Sequence, residues 1–151
     1  MKKEKINEIW FDTIGVDFLH TAILVIVGDN ADVLKDAAPK IDKELNTANL
    51  VQESVKKLLE GDYLYDCTLT APNAVKDIIV FFHAKSPDKV SYETMVHEFH
   101  HAVSSLCDFR GIDDEETEAY LQEYLFNEML CKVDNYVAAQ KKAKRKPKKS
   151  A

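Results

Sequence analysis

The sequence predicts an α+β domain in which a small sheet packs against a pair of helices. Three observations carry that expectation. Two short, β-branched apolar runs, His20–Gly28 and Asp77–Ala84, are bounded by turn residues. An apolar stripe at helical spacing runs from about Ser91 to Leu106. A second helical pattern begins near Asp113, beyond a break at Gly111.

Taken in order, Ile6 to Phe18 mixes apolar and acidic residues around Gly15 and reads as a short strand or turn entering the domain. His20–Gly28 reads as a buried central strand ending at the turn Gly28-Asp29-Asn30. From Ala31 to Leu59 the pattern is helical. Val33, Leu34, Ala37 and Ala38 form a first stripe, Pro39 is expected to interrupt it, and Leu50, Val51, Val55, Leu58 and Leu59 form a second, with Gly61 as its cap. Asp62 to Thr70 alternates as a strand does, Ala71-Pro72-Asn73 turns the chain, and Asp77–Ala84 forms a second strongly apolar strand. In the helix that follows, Tyr92, Met95, Val96, Phe99, Ala102, Val103 and Leu106 make the apolar stripe. The final helix runs through Ala119, Leu121, Leu125, Met129 and Val133, with an acid cluster at its start that suits the helix dipole.

At 151 residues, 46% hydrophobic and 30% charged, the chain suits one domain with a substantial core, assigned to residues 1–138, followed by a basic, solvated and disordered tail at 139–151. The net charge of −6 is unevenly spread: Lys141–Ala151 holds seven Lys or Arg and no acid, leaving 13 basic against 26 acidic residues elsewhere. A body of charge −13 is a poor nucleic-acid binder, so nucleic acid is expected only through the tail. Cys67, Cys107 and Cys131 are an odd number without C-x-x-C spacing, which fits a reducing compartment. The longest apolar run, Ala22–Val27, cannot span a bilayer, and the charged start lacks the apolar core of a signal peptide. A cytoplasmic protein with no membrane partner is expected.

The chemistry is concentrated in Val96-His97-Glu98-Phe99-His100-His101. On a helix His97 and His101 stack one turn apart, opposite the apolar stripe, with Thr94 and Ser104 beside them. In the H-E-x-x-H pattern two imidazoles hold Zn2+ and the Glu, here Glu98, is the general base. His100 offers a competing pairing with His97, but the four-residue pair leaves Glu98 directly after the first ligand. A catalytic zinc needs a third protein ligand. The opening of the next helix supplies Asp113, Asp114, Glu115, Glu116 and Glu118; a helical wheel favours Glu115 or Glu118, and Cys107 is a minor rival.

His97-Glu98-x-x-His101 followed by Glu116-Thr117-Glu118-Ala119-Tyr120 resembles the gluzincin branch of the zincin metallopeptidases, in particular short HExxH proteins of phages and mobile elements that carry an E-x-x-A-Y segment. The resemblance spans roughly Ile78 to Leu125. It implies a minimal zincin-like fold, a small, mostly antiparallel sheet on the HExxH helix, and Glu116 as third ligand from the second helix. It also implies that Asp77–Ala84 is the antiparallel edge strand against which a protein or peptide substrate lies. The implied activity is amide hydrolysis by a zinc-activated water, with Glu98 as general base. Tyr120 is the first candidate to stabilise the oxyanion, with Tyr124 and His83 as alternatives, and Asp113 or Glu118 can orient a ligating His. The competing expectation is a non-catalytic zincin-like module that keeps the metal as a scaffold for protein binding.

Overall fold

The computed structural model describes residues 9–19, 21–60, 67–70 and 78–145. They form an α+β domain with a four-stranded mixed sheet between two helical layers. The strands are β1 (Trp10–Val16), β2 (Thr21–Gly28), β3 (Cys67–Thr70) and β4 (Ile78–His83), in the spatial order β1-β2-β4-β3. β1 is antiparallel to β2, β2 parallel to β4, and β4 antiparallel to β3. The helices are α1 (Ala31–Leu45), α2 (Leu50–Glu60), α3 (Tyr92–Arg110) and α4 (Glu115–Arg145).

The alternation of side chains along each strand divides the core in two. Val25, Val27, Val80 and Phe82 face α3 and α4, together with Met95, Phe99, Val103, Leu106, Leu121, Leu125 and Met129. Leu24, Ile26, Ile79 and Phe81 face α1 and α2, against Leu34, Ile41, Val51 and Val55. Burial on both faces explains why β2 and β4 read as unbroken apolar runs rather than alternating ones.

That burial also corrects one expectation. Asp77–Ala84 was expected as an antiparallel edge strand; instead β4 is interior, paired in parallel with β2 and antiparallel with β3. Among the described residues the antiparallel strand at that edge is β3, Cys67–Thr70. The start of the segment expected as that strand, Asp62–Asp66, lies outside the described residues, as do the expected cap at Gly61 and the turn at Ala71-Pro72-Asn73.

Pro39 does not interrupt α1, which continues to Leu45. It sits on the exposed side, where solvent can satisfy the carbonyl that loses its N–H partner. The break comes at Asn46, which caps α1 in the left-handed region with φ 57°. The tail also differs from expectation: α4 stays helical to Arg145, so 139–145 is not a disordered segment, while 146–151 lies outside the described residues. No helix among the described residues is long and apolar enough to cross a membrane.

Candidate metal centre on the outer face of α3

α3 is well delimited. The Ser91 hydroxyl accepts from the Thr94 amide at 3.1 Å, capping the start, and Gly111 ends the helix in the left-handed region with φ 66°. The Ile112 amide then returns to the Cys107 carbonyl at 2.9 Å, which turns the chain towards α4. Phe99 anchors the inner face, edge-on to Phe82 of β4 with ring centres 5.7 Å apart. The apolar stripe is narrower than the sequence suggests. Met95, Phe99, Ala102, Val103 and Leu106 are buried, whereas Tyr92 and Val96 are exposed, with Tyr92 edge-on to Phe126 of α4.

With the inner face fixed, His97 and His101 project outward from the core. Their Nε2 atoms lie 3.2 Å apart and their rings are nearly perpendicular, at 84°. Two nitrogens bound at tetrahedral angles to one zinc stand about 3.3 Å apart, given Zn–N bonds of about 2.0–2.1 Å. The spacing of the pair matches two ligands of one zinc, and it is also that of an imidazole–imidazole hydrogen bond. Glu98 follows His97 by one step of about 100° around the helix. Its carboxylate Oε2 lies 3.9 Å from His97 Nε2, and the residue is only 5% exposed.

The remaining candidates lie outside that pair. α4 runs antiparallel to α3, with Gln122 as the polar link: its Nε2 donates to the Val96 carbonyl at 2.8 Å, and its Oε1 lies 3.4 Å from His100 Nδ1. His100 is thus held at the helix interface rather than beside its neighbours' nitrogens. Glu116, six residues before Gln122, is exposed and lies about 9 Å further along α4, towards the end of α3. The Tyr92–Phe126 and Val96–Gln122 contacts step four residues along each helix, which sets Glu116 about level with Ala102, next to His101 along the helix axis. Glu115 is likewise an exposed first-turn residue of α4.

Cys107 is buried in the core. Burial, reinforced by the negative charges of Glu118 and Asp108, pushes its thiol above the usual range, the reverse of what a metal-bound thiolate needs. The Glu118 charge is near enough to act on the Cys107 thiol, and Asp113 is exposed in the linker. Tyr120 is 60% exposed and stands about 200° around α4 from Gln122, away from the flank that meets α3. Tyr124 donates its hydroxyl to the Gly15 carbonyl at 2.7 Å, tying α4 to β1. Its pKa is raised by burial and by the nearby Glu128 and Asp17 charges. His83 ends β4, exposed, with its ring near Phe81.

Sequence reasoning missed Gln122 and Asp42. A polar residue recurring on the stripe-facing flank of α4 was the available signal for Gln122. Asp42 gave no such signal, because its partners come from the next helix. Comparison of the chain with family models, with curated proteins and with solved structures finds no match to any of them.

Proposed function

We propose that the protein is a zinc-dependent metallopeptidase whose centre is built on α3. The observation that carries this reading is the placement of the His97 and His101 Nε2 atoms at 3.2 Å, with the buried Glu98 carboxylate next to them. His97 and His101 would hold the metal, and the resemblance makes Glu116 the first candidate for the third ligand. When bound, zinc supplies Lewis-acid polarisation of a carbonyl and acidification of water.

The chain's own groups provide the rest. A single rigid helix fixes both imidazoles, so little ordering is required of them on binding. Glu98, desolvated at the foot of the pair, is positioned to accept a proton from an attacking water and return it to the leaving amine. A protein or peptide is the substrate class that the resemblance implies.

The test is zinc content of the purified protein by elemental mass spectrometry, for wild type, His97→Ala and Glu116→Ala. About one zinc per chain, lost in His97→Ala, supports the centre. Loss in Glu116→Ala as well assigns the third ligand, while retention there assigns it elsewhere. No metal uptake by wild type in added zinc refutes the proposal and leaves a protein-interaction module.

A further inference from the structure

The end of α4 is a charged element that the proposed metal centre does not use. Among the described residues the last fully buried side chain of the helix is Met129, and the last ion pair to the body is Lys132 Nζ to Asp12 Oδ2 at 3.0 Å. From Ala138 to Arg145 every residue is exposed, so among the described residues none packs on these two turns. They extend about 12 Å beyond the packed part of the helix. That exceeds the Debye length of about 8 Å at physiological salt.

Lys141, Lys142, Lys144 and Arg145 cover an arc of about 160° on one side of the helix, with Gln140 and Ala143 on the other. The sequence continues with Lys146, Lys148 and Lys149 and contains no acid after Asp134. Cations in a last turn complement the helix dipole, but that requires one or two, not the four from Lys141 to Arg145. The body they are attached to carries 26 acidic residues against 13 basic ones.

We infer that this projecting helix end is a docking surface for the phosphate backbone of nucleic acid, engaged by charge without base reading. The acidic body decides between polyanions. A bilayer is flat and wide, so laying the cationic arc on it brings the body of charge −13 down onto a like-charged surface. A duplex is a narrow cylinder, and two protruding turns can lie across it while the body stays clear. The arc also lacks any large apolar side chain that could enter lipid.

The test uses the full chain and a fluorescently labelled 20-base-pair duplex of arbitrary sequence, read by anisotropy between 50 and 200 mM salt. Four phosphate contacts give a slope of about −3.6 in log K against log salt, or roughly a 150-fold loss of affinity over that range. A steeper slope shows the following lysines joining in. The variant Lys141→Gln/Lys142→Gln/Lys144→Gln/Arg145→Gln keeps helix propensity and should bind at least 100-fold more weakly at 50 mM salt, with unchanged circular dichroism. Absence of duplex binding at 50 mM salt overturns the inference, as does equal binding by the variant. Vesicles of phosphatidylcholine with phosphatidylserine are the comparison: binding to them without binding to the duplex also overturns it. All of these outcomes are independent of zinc content and of hydrolysis.

Discussion

Replacing Asp42 tests the layer that supports the sheet from behind. Its carboxylate is 3% exposed and joins α1 to the start of α2. Oδ1 accepts from the Thr47 hydroxyl at 2.6 Å and the Val51 amide at 2.8 Å; Oδ2 accepts from the Gln52 amide at 3.0 Å and its side-chain amide at 3.2 Å. The two backbone donors are among those a helix start leaves without partners, so Asp42 caps α2 from a distance in sequence. Asp42→Ala removes these charge-assisted bonds and leaves the amide of the fully buried Val51 without a partner. Hydrogen bonds to charged groups contribute about 1.5–3 kcal/mol each, and an orphaned buried donor costs about 1–3 kcal/mol. Because the bonds share one carboxylate their effects overlap, and the expected loss is about 3–5 kcal/mol. At about 3 °C per kcal/mol for a chain of this size, the melting temperature should fall by roughly 10–15 °C. Asp42→Asn keeps one acceptor but sets an amide against the Gln52 donors, so about 1–3 kcal/mol is expected. Urea denaturation followed by circular dichroism gives the order wild type, Asn, Ala. A loss below about 1 kcal/mol for Asp42→Ala would refute the assignment of Asp42 as the cap. Since α1 and α2 lie on the far side of the sheet from α3, zinc uptake well below the melting temperature should be unchanged.

Three further outcomes follow from the same interactions. The Ser54 hydroxyl is buried without a hydrogen-bond partner among the described residues, so Ser54→Ala should raise stability by up to about 1 kcal/mol in the same denaturation assay. Cys131 is exposed and Cys107 buried, so a thiol reagent should modify Cys131 rapidly and Cys107 only on unfolding, as mass spectrometry of digested protein would show. Because the folded Cys107 pKa lies above the ordinary 9.0, the folded state holds that proton more tightly; its contribution is complete below pH 9 and declines as pH rises towards the folded value. Asp114 has the opposite sign. The Thr117 hydroxyl at 2.7 Å and the Glu116 amide at 3.3 Å hold its carboxylate below the ordinary 3.8. Its cap on α4 is therefore intact above pH 4 and lost as pH falls through the lower folded value. Hydrogen exchange at the first-turn amides of α4 should accelerate in that acid range, and in Asp114→Ala at neutral pH.

Much of the fold was legible because local signals and packing agree. The apolar runs of β2 and β4 and the capped, periodic α3 needed no tertiary information. The long-range features did not follow. The parallel pairing of β2 with β4, and with it the interior position of β4, depends on α1 and α2 covering the second face of the sheet, which no single segment encodes. Pro39 was expected as a breaker, but an exposed helix position tolerates it, and the turn residues at Asn46–Asn49 end the helix instead. For the site, the His97–His101 geometry was readable because one helix sets it. The third position was not, because it depends on the register of α4 against α3. The contacts of Gln122 with Val96 and of Phe126 with Tyr92 set that register, and neither contact is encoded in the motif itself.

Glu98 separates an enzyme from a metal-bound scaffold. It occupies a position only 5% exposed, next to a face lined by Met95, Phe99 and Ala102. Burying a carboxylate costs several kcal/mol that its partners must recover, and apolar side chains of similar size in such positions are often neutral or stabilising. A scaffold that needed only the two imidazoles has no use for a proton acceptor there. An enzyme would lose its proton acceptor on such a replacement. Glu98→Gln and Glu98→Met should therefore leave zinc content at the wild-type level. Hydrolysis should fall by about 10²–10⁴-fold in both, the usual contribution of general acid–base catalysis. If both variants lose zinc, Glu98 serves the metal rather than the proton. If Glu98→Met is markedly less stable with zinc retained and hydrolysis undiminished, the buried carboxylate is a structural group, and the scaffold becomes the better reading of the motif.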